Sequence, residues 1–461
     1  MLDKDKIIFE LIQKVEFLSK RVAQLEVLEK ENKELRRRLS KYETPKNSNN
    51  SSIPPSKDEN RPKRNQSLRE KTGRKPGGQK GRKGNTLRMV QEPDIIKNHI
   101  PEYCSCCGKD IRNTSYEFIG KRQVIDIPEI KFETTEHQIY KRVCSCGHTT
   151  KSTFPLQANA PVSYGNNIES LIGYFHTRQY VPFKRMQEIF KDIFHTPISE
   201  GGIHYLLNKL VKKSEPAYQL IKNKLQNKKN AAIGADETGM KINGDKNWAW
   251  VWQDEELTFI TISDNRAGQT ITDTFKDGLK NSVLVHDCWK SHFNTPALSH
   301  QICIAHLLRE LNYFSERYKH KWSSVFKLLL LSGLKLKNKL NDVDYYYPIP
   351  QRETIQKRLK ILLDYPIDDK HNELITFQKR MKKYEDYIFT FLYHPKVPPD
   401  NNASERAIRN IKVKQKISGQ FKSPTGGYNF AVLRSVTDTV LKNNQNILNS
   451  LRIIANLQCT D

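Results

Sequence analysis

Two short apolar runs that each deliver an aspartate constrain this chain more than any other feature. Ala231 to Ala235 leads into Asp236 in AAIGADETGM, and SVLVH leads into Asp287, 51 residues later. Between them KNWAWVWQ (Lys246 to Gln253) alternates strongly and LTFITIS (Leu257 to Ser263) is strand-like, so two hairpin-like returns follow the first strand. HQICIA (His300 to Ala305) supplies a fifth strand. The expected core is an α/β layer around a mixed five-stranded sheet with carboxylates at its open edge. If the strands that end at Asp236 and Asp287 lie side by side and parallel, their charges meet. Such a pair requires a cation or a shared proton.

A metal site of this kind takes a third carboxylate. NNASERAIRNIK reads as a helix beginning at Asn402 or Ala403, with Glu405 in its first turn and Arg406 and Arg409 beside it. Glu310 is a rival nearer in sequence. On its helix, however, Leu307, Leu308 and Leu311 mark the buried side, which leaves Glu310 an exposed neighbour of Arg309. Glu237 points to the strand face opposite Asp236. His306, at the head of the helix HLLRELNYF, either orients a phosphate or a carboxylate or is a satisfied structural histidine, and it stays outside the catalytic set.

The partner is suggested by charge. The chain has 461 residues and a formal net charge of +26, a balance suited to a polyanion such as DNA or RNA. There is no apolar run of membrane-spanning length, and MLDKDKIIFELIQKVEF does not read as a signal peptide, so no membrane association and a cytoplasmic location are expected. Five of the eight cysteines crowd between residues 104 and 146, the pattern of a metal site in a reducing compartment.

In chain order, residues 1–40 hold one helix whose stripe Leu11, Val15, Leu18, Val22, Leu25, Leu28, Asn32, Leu35 and Leu39 is that of a coiled coil, and self-association through residues 7–39 into a homodimer or higher oligomer is expected. Residues 41–92 are too polar and too rich in Pro, Ser and Asn to fold alone, and they lead into a stretch where Arg74, Lys75, Lys80, Arg82 and Lys83 alternate with five glycines. Backbone that bare approaches phosphates closely. Residues 93–158 carry Cys104 and Cys107 in CxxCG and Cys144 and Cys146 in CxCG. KRQVIDIPEI and KFETTEHQIYKRV between them alternate like a two-stranded ribbon, so a structural zinc on those four thiolates is expected, with Cys106 and His148 in reserve. Residues 159–230 are helical, and the segment around HTPIS has helix-turn-helix spacing that a plain helical hairpin would equally satisfy. The core begins at 231–306, is interrupted by a polar helical insertion at 307–397, and resumes at 398–461.

Several of these segments together resemble the transposases of the insertion sequence 66 family. The likeness runs along essentially the whole chain: PPSKD and KPGGQKGRKGNTL near the N-terminus, CSCCG and CSCGH in the cysteine module, and GADETG, HDCWKSHF, HQICIAHLLRE and NNASERAIR in the core. Two departures stand out: Arg82-Lys83 replaces a more usual His-Lys, and the second cysteine pair is one residue short. What the resemblance implies is a ribonuclease-H-like core with an Asp-Asp-Glu triad falling on Asp236, Asp287 and Glu405. It also implies Mg²⁺ or Mn²⁺ as the catalytic cofactor, and cleavage and transfer of double-stranded DNA at element ends and target. Arg406, Arg409, Lys412, Lys414 and Lys416 are expected to hold phosphates. The implied setting is bacterial and nucleoid-associated, with helper proteins from the same element as further partners. Two other readings stay open: a metal-dependent nuclease of the same fold that does not join strands, and a non-catalytic DNA-binding protein derived from a transposase.

Overall fold

The computed structural model describes residues 2–43, 45–47, 50, 51, 58, 81, 87–130, 132–155, 157, 158, 160–368 and 370–458. The chain divides into two compact units. One comprises Met1–Arg61, Glu136–Lys191 and Pro197–Asp461, the other Pro62–Thr135 with Asp192–Thr196.

The larger unit starts with a single helix, α1 (Leu2–Glu43), longer at both ends than its apolar stripe. Leu11, Val15, Leu18, Val22, Leu25, Leu28, Leu35 and Leu39 are all exposed on it, and Asn32 accepts from Arg36 Nε at 3.0 Å one turn on. The polar stretch that follows is not wholly without structure. Asn50 is buried and donates to Glu316 Oε2 at 2.8 Å, while the Lys46 ammonium lies 4.8 Å from the Tyr313 ring centre.

Strand β1 (Lys141–Val143) pairs antiparallel with β2 (Thr149–Lys151) around Cys144–His148. This corrects the expected ribbon: no strand forms at 121–130, and of the described residues of KFETTEHQIYKRV only Lys141–Val143 are strand. Val124, Ile125, Ile127 and Ile130 are exposed, so the alternation there has no apolar face to pair over.

Helices α2 (Asn166–Thr177), α3 (Phe183–Asp192) and α4 (Glu200–Asn227) come next, and Ser199 caps α4 through Gly202 N at 3.0 Å. Far from standing clear of the core, α4 buries Ile203, Leu206, Leu207, Leu210 and Val211 and packs on α2 and the sheet.

The sheet is formed by β3 (Ala232–Ile242), β4 (Asp245–Gln253), β5 (Thr258–Ser263), β6 (Leu279–His286) and β7 (Ala297–Ile302), in the order β5-β4-β3-β6-β7. A two-residue turn with Asn243 and Gly244 at φ 49° and 88° joins β3 to β4, as a tight hairpin demands. β3, β4 and β5 form an antiparallel meander, whereas β3, β6 and β7 run parallel. Short helices α5 (Gln269–Thr274) and α6 (Lys290–Phe293) follow β5 and β6. On one face Met240, Ile242, Val251 and Ile260 meet α11 (Asn402–Ser418) and α12 (Pro424–Lys442). On the other, Trp250, Trp252 and Phe259 stack toward Phe275, beside Tyr218 of α4.

Between β7 and α11 lie α7 (Ile304–Tyr318), α8 (Lys321–Lys337), α9 (Pro350–Asp364) and α10 (Asn372–Lys383). Their polarity is superficial: Trp322, Phe326, Leu330, Phe377, Phe389 and Phe391 form one buried cluster with Val283, Val285 and Ile302 of the sheet. Helix α13 (Ile447–Ala455) closes the chain against α2. No helix among the described residues is long and apolar enough to cross a membrane.

Both sheet edges are covered. Along β5, Thr258 N donates to Thr439 Oγ1, Ile260 N to Ser435 Oγ, and Tyr218 Oη to the Ile260 carbonyl, at 2.8 to 3.1 Å. Along β7, Thr390 Oγ1 donates to the His300 carbonyl at 2.6 Å, and Phe391 N donates to Gln301 Oε1 at 2.8 Å.

In the smaller unit the chain turns tightly at Cys104, whose N–H donates to Lys109 O (2.8 Å) while Gly108 N donates back to Cys104 O (2.9 Å). Phe132 stacks on Phe194 at 5.7 Å.

One buried ion pair ties the helices of the larger unit together. Lys213 Nζ lies 3.0 Å from Glu169 Oε1 and also donates to the Ala455 carbonyl at 2.5 Å, with both side chains sealed from solvent. Glu169→Ala should therefore cost about 3–5 kcal/mol, because it strands a buried ammonium. Urea denaturation of the full chain measures this.

Candidate active site

The parallel ladder between β3 and β6 runs Ala232↔Val283, Ile233↔Leu284, Gly234↔Val285. Two residues further along the chain from the last pair stand Asp236, still within β3, and Asp287, just past the end of β6. β3 does not end at Asp236 as the apolar run suggested. It continues to Ile242 on its pairing with β4, with Asp236 opposite Val251. Asp236 thus lies two residues beyond the last parallel pair, where only the antiparallel pairing with β4 continues.

Helix α11 brings in Glu405. Its first turn sits on β3 at Gly234, where an added Cβ would lie 2.4 Å from Ser404 Oγ and 2.7 Å from Asn401 Oδ1. Asn401 Nδ2 donates to the Ala235 carbonyl at 2.7 Å, and its backbone N–H reaches Cys303 Sγ at 3.2 Å. Ser404, Ala407, Ile408 and Ile411 are buried beneath the helix.

Burial, and then the charges of Glu237, Asp287 and Glu405, push the Asp236 carboxyl well above the ordinary carboxylate range. The Glu237 N–H donating to Asp236 Oδ1 at 2.9 Å opposes this only in part. Asp287 Oδ1 accepts from Trp289 N at 2.9 Å. Among the described residues no Lys, Arg or His forms an ion pair with Asp236 or Asp287. Glu405 has three basic neighbours, the imidazole of His306 at 3.9 Å and the guanidiniums of Arg309 at 3.6 Å and Arg409 at 3.7 Å. All three are too long for hydrogen bonds, and Glu405 Oε1 is buried with none. Burial and Arg309 lower the His306 pKa against the pull of Asp287, Glu405 and Glu310.

The rivals are engaged elsewhere. Glu310 pairs with Arg380 at 2.6 Å. Glu237 faces the other side of the sheet, bonded to Arg266 and His292; although burial would raise its pKa, those two partners hold it below the usual carboxylate value.

The basic residues of α11 divide. Arg406, Arg409 and Lys416 are exposed, and Lys412 donates to the Gly239 carbonyl. Lys414 is buried beside His176, and desolvation brings its pKa down to about 8. It therefore does not reach the surface where a phosphate would lie. Arg74, Lys75, Lys80, Arg82 and Lys83 lie outside the described residues.

In the cysteine module, Cys104 and Cys144 each open a tight turn closed by a glycine at positive φ, Gly108 at 71° and Gly147 at 84°. N–H groups of Cys107 and Cys106 lower the Cys104 thiol pKa, and the N–H of Cys146 lowers that of Cys144. Turns that stabilise thiolate suit a soft divalent ion such as zinc.

As donors, Asp236, Asp287 and Glu405 suit a hard divalent cation, and among the described residues neither aspartate is held in an ion pair. Among the described residues, however, no three His, Cys, Asp or Glu side chains are gathered tightly enough to form a ready-made metal cage.

Arg309, Asn401 and the partners of Glu237 were not singled out from sequence. For Asn401 a signal existed, since NNASE places an amide just ahead of the helix start.

Comparison with known protein families gives three matches. A model described as the transposase IS66 family matches residues 161–429, and one described as the zinc-finger binding domain of transposase IS66 matches residues 101–147. A third, described as a family of unknown function, matches residues 8–88. A search of curated proteins finds no match.

The seating of α11 is testable. Gly234→Ala should destabilise the chain by about 1–3 kcal/mol through overpacking, and Ser404→Ala should relieve part of that loss. Denaturation of both single mutants and the double mutant measures the coupling; strictly additive effects would mean that the helix does not press on this glycine.

Proposed function

The chain belongs to the IS66 family of transposases, and from that premise we propose that it binds the ends of its element and catalyses metal-dependent strand cleavage and strand transfer on a ribonuclease-H-like core. What supports this reading is that Asp287 and Glu405 lie near enough to raise the Asp236 carboxyl just beyond the end of the β3–β6 ladder, with neither aspartate in an ion pair among the described residues. The sheet order β5-β4-β3-β6-β7, an antiparallel meander continued by two parallel strands, supports the choice of core.

Asp236, Asp287 and Glu405 would hold Mg²⁺ or Mn²⁺, which when bound activates an oxygen nucleophile and neutralises charge on the leaving oxygen. Water serves as nucleophile in cleavage and the freed 3′ hydroxyl in transfer, so no side chain need form a covalent link to DNA. Arg406, Arg409 and Lys416 on the exposed side of α11 contact backbone phosphates, which sets the register of the duplex without reading bases. Arg309 and His306 orient the Glu405 carboxylate from α7. Cys104, Cys107, Cys144 and Cys146 hold a structural zinc, with Cys106 and His148 adjacent. The exposed stripe of α1 pairs two protomers, as joining two element ends requires.

Asp236→Asn, Asp287→Asn and Glu405→Gln should each lower cleavage and transfer by at least about 100-fold while leaving end binding nearly intact, since carboxylates repel rather than hold the DNA backbone. Cleavage of a labelled duplex carrying the element end, beside a gel-shift titration, measures both. Cleavage without joining by the intact protein would favour the nuclease reading, and full activity in either aspartate variant would remove the carboxylate site.

Replacing Arg74, Lys75, Lys80, Arg82 and Lys83 with Ala should flatten the salt dependence of DNA binding by roughly 0.9 in slope per lost phosphate contact. An unchanged slope would make that segment a linker only.

A further inference from the structure

Backbone pairing between β3 and β6 stops at Gly234↔Val285, two residues short of Asp236 and Asp287, so main-chain hydrogen bonds do not set the distance between those carboxylates. Something else must, because a shift of about 1 Å in such a group is costly to catalysis. The opposite face of the sheet holds a candidate.

Glu237, the residue after Asp236, turns its side chain away from the carboxylate cluster. Its Oε2 accepts from His292 Nε2 at 2.9 Å, and both side chains are only 1% exposed. Its Oε1 accepts from Arg266 Nε at 2.8 Å and also from the Arg266 terminal nitrogen. His292 lies in α6, five residues after Asp287 in the same short loop and helix. The Arg266 guanidinium sits over two indoles, Trp248 at 5.0 Å and Trp289 at 4.6 Å. The same Trp289 donates its backbone N–H to Asp287. Trp250 and Trp289 pack around His292 at 6.1 and 5.5 Å, filling the space behind the brace.

We infer that Glu237, His292 and Arg266 form a buried brace that fixes the spacing of Asp236 and Asp287 from behind. Glu237 anchors the strand that carries the first aspartate. His292 ties to it the loop that carries the second. Arg266, packed against Trp289, holds the backbone amide that orients the Asp287 carboxylate. These are positioning residues: none faces the substrate side of the sheet.

This inference rests on the carboxylate site proposed above, and its test separates the two. Mn²⁺ binding to the full-length, DNA-free protein is measured by calorimetry for the parent chain, Asp236→Asn, Glu237→Ala, Glu237→Gln, His292→Leu and Arg266→Ala, together with thermal melting and end binding by gel shift. Glu237→Ala and His292→Leu should each weaken Mn²⁺ binding on the order of 10- to 100-fold, the usual effect of losing an outer support of a metal site. Combining them should be no worse than either alone, because both remove the same link. Glu237→Gln, which still accepts from His292, should recover most of the affinity, and end binding should be unchanged throughout. Where Glu237→Ala melts too early to measure, Arg266→Ala carries the test, since Arg266 is 40% exposed and its loss leaves Glu237 still bonded to His292. It should weaken Mn²⁺ binding several-fold. Loss in Asp236→Asn with parent-like affinity in the brace variants would overturn the brace alone. Parent-like affinity in Asp236→Asn would overturn the carboxylate site on which it rests.

Discussion

The structure hinges on a helix end pressed against a strand with nothing between them. Gly234 has no side chain, and into that gap the first turn of α11 places Ser404 and Asn401. Asn401 then satisfies the Ala235 carbonyl, so the contact joins close packing to a buried hydrogen bond. Glu405 is one residue beyond Ser404 and Asp236 two beyond Gly234. Their approach therefore follows from a packing contact between segments about 170 residues apart in sequence, bridged by the helices α7 to α10 and held by their shared core with β6 and β7.

The same arrangement concentrates negative charge where protein offers little relief. Glu405 is attended by Arg309, Arg409 and His306, yet Asp236 has only one backbone N–H against burial and three carboxylates. Proteins tolerate such unrelieved charge mainly at sites that complete themselves with a ligand. Behind the sheet the balance reverses. Glu237 is matched by two partners that are themselves packed against indoles, a satisfied network next to an unsatisfied one, separated by the thickness of a strand.

Much of this was legible in the sequence, and the misses have physical causes. The spacing between Asp236 and Asp287 is the register spacing of the parallel ladder, so two apolar runs were enough to align them. Helix α11 began where its polar start and apolar periodicity put it. The extension of β3 was hidden because TGMKI is not an apolar run; it is strand only through its pairing with β4 across the Asn243–Gly244 turn. Lys414 was read by charge alone, although it stands three residues after Ile411 on the buried stripe. The ribbon failed for the opposite reason: its residues alternate but have nothing to cover. His292 and Arg266 could not be matched to Glu237 from sequence, since a lone histidine and a lone arginine carry no signal of which distant carboxylate they will meet. The cost of leaving a buried Glu unpaired says only that partners exist.

The covered edges of the sheet limit how copies of this protein can meet. An open sheet normally offers its outer strands as ready templates for another chain, a hazard for molecules concentrated on one stretch of nucleic acid. Here side-chain hydroxyls from α4 and α12 occupy one rim, and the short turns after α10 occupy the other. The intervening helices thus act as a selvedge, finishing the fabric of the sheet so that it does not run on into a neighbour. Protomers can then be brought close together, and rearranged or released, without the irreversible zippering that exposed strands invite.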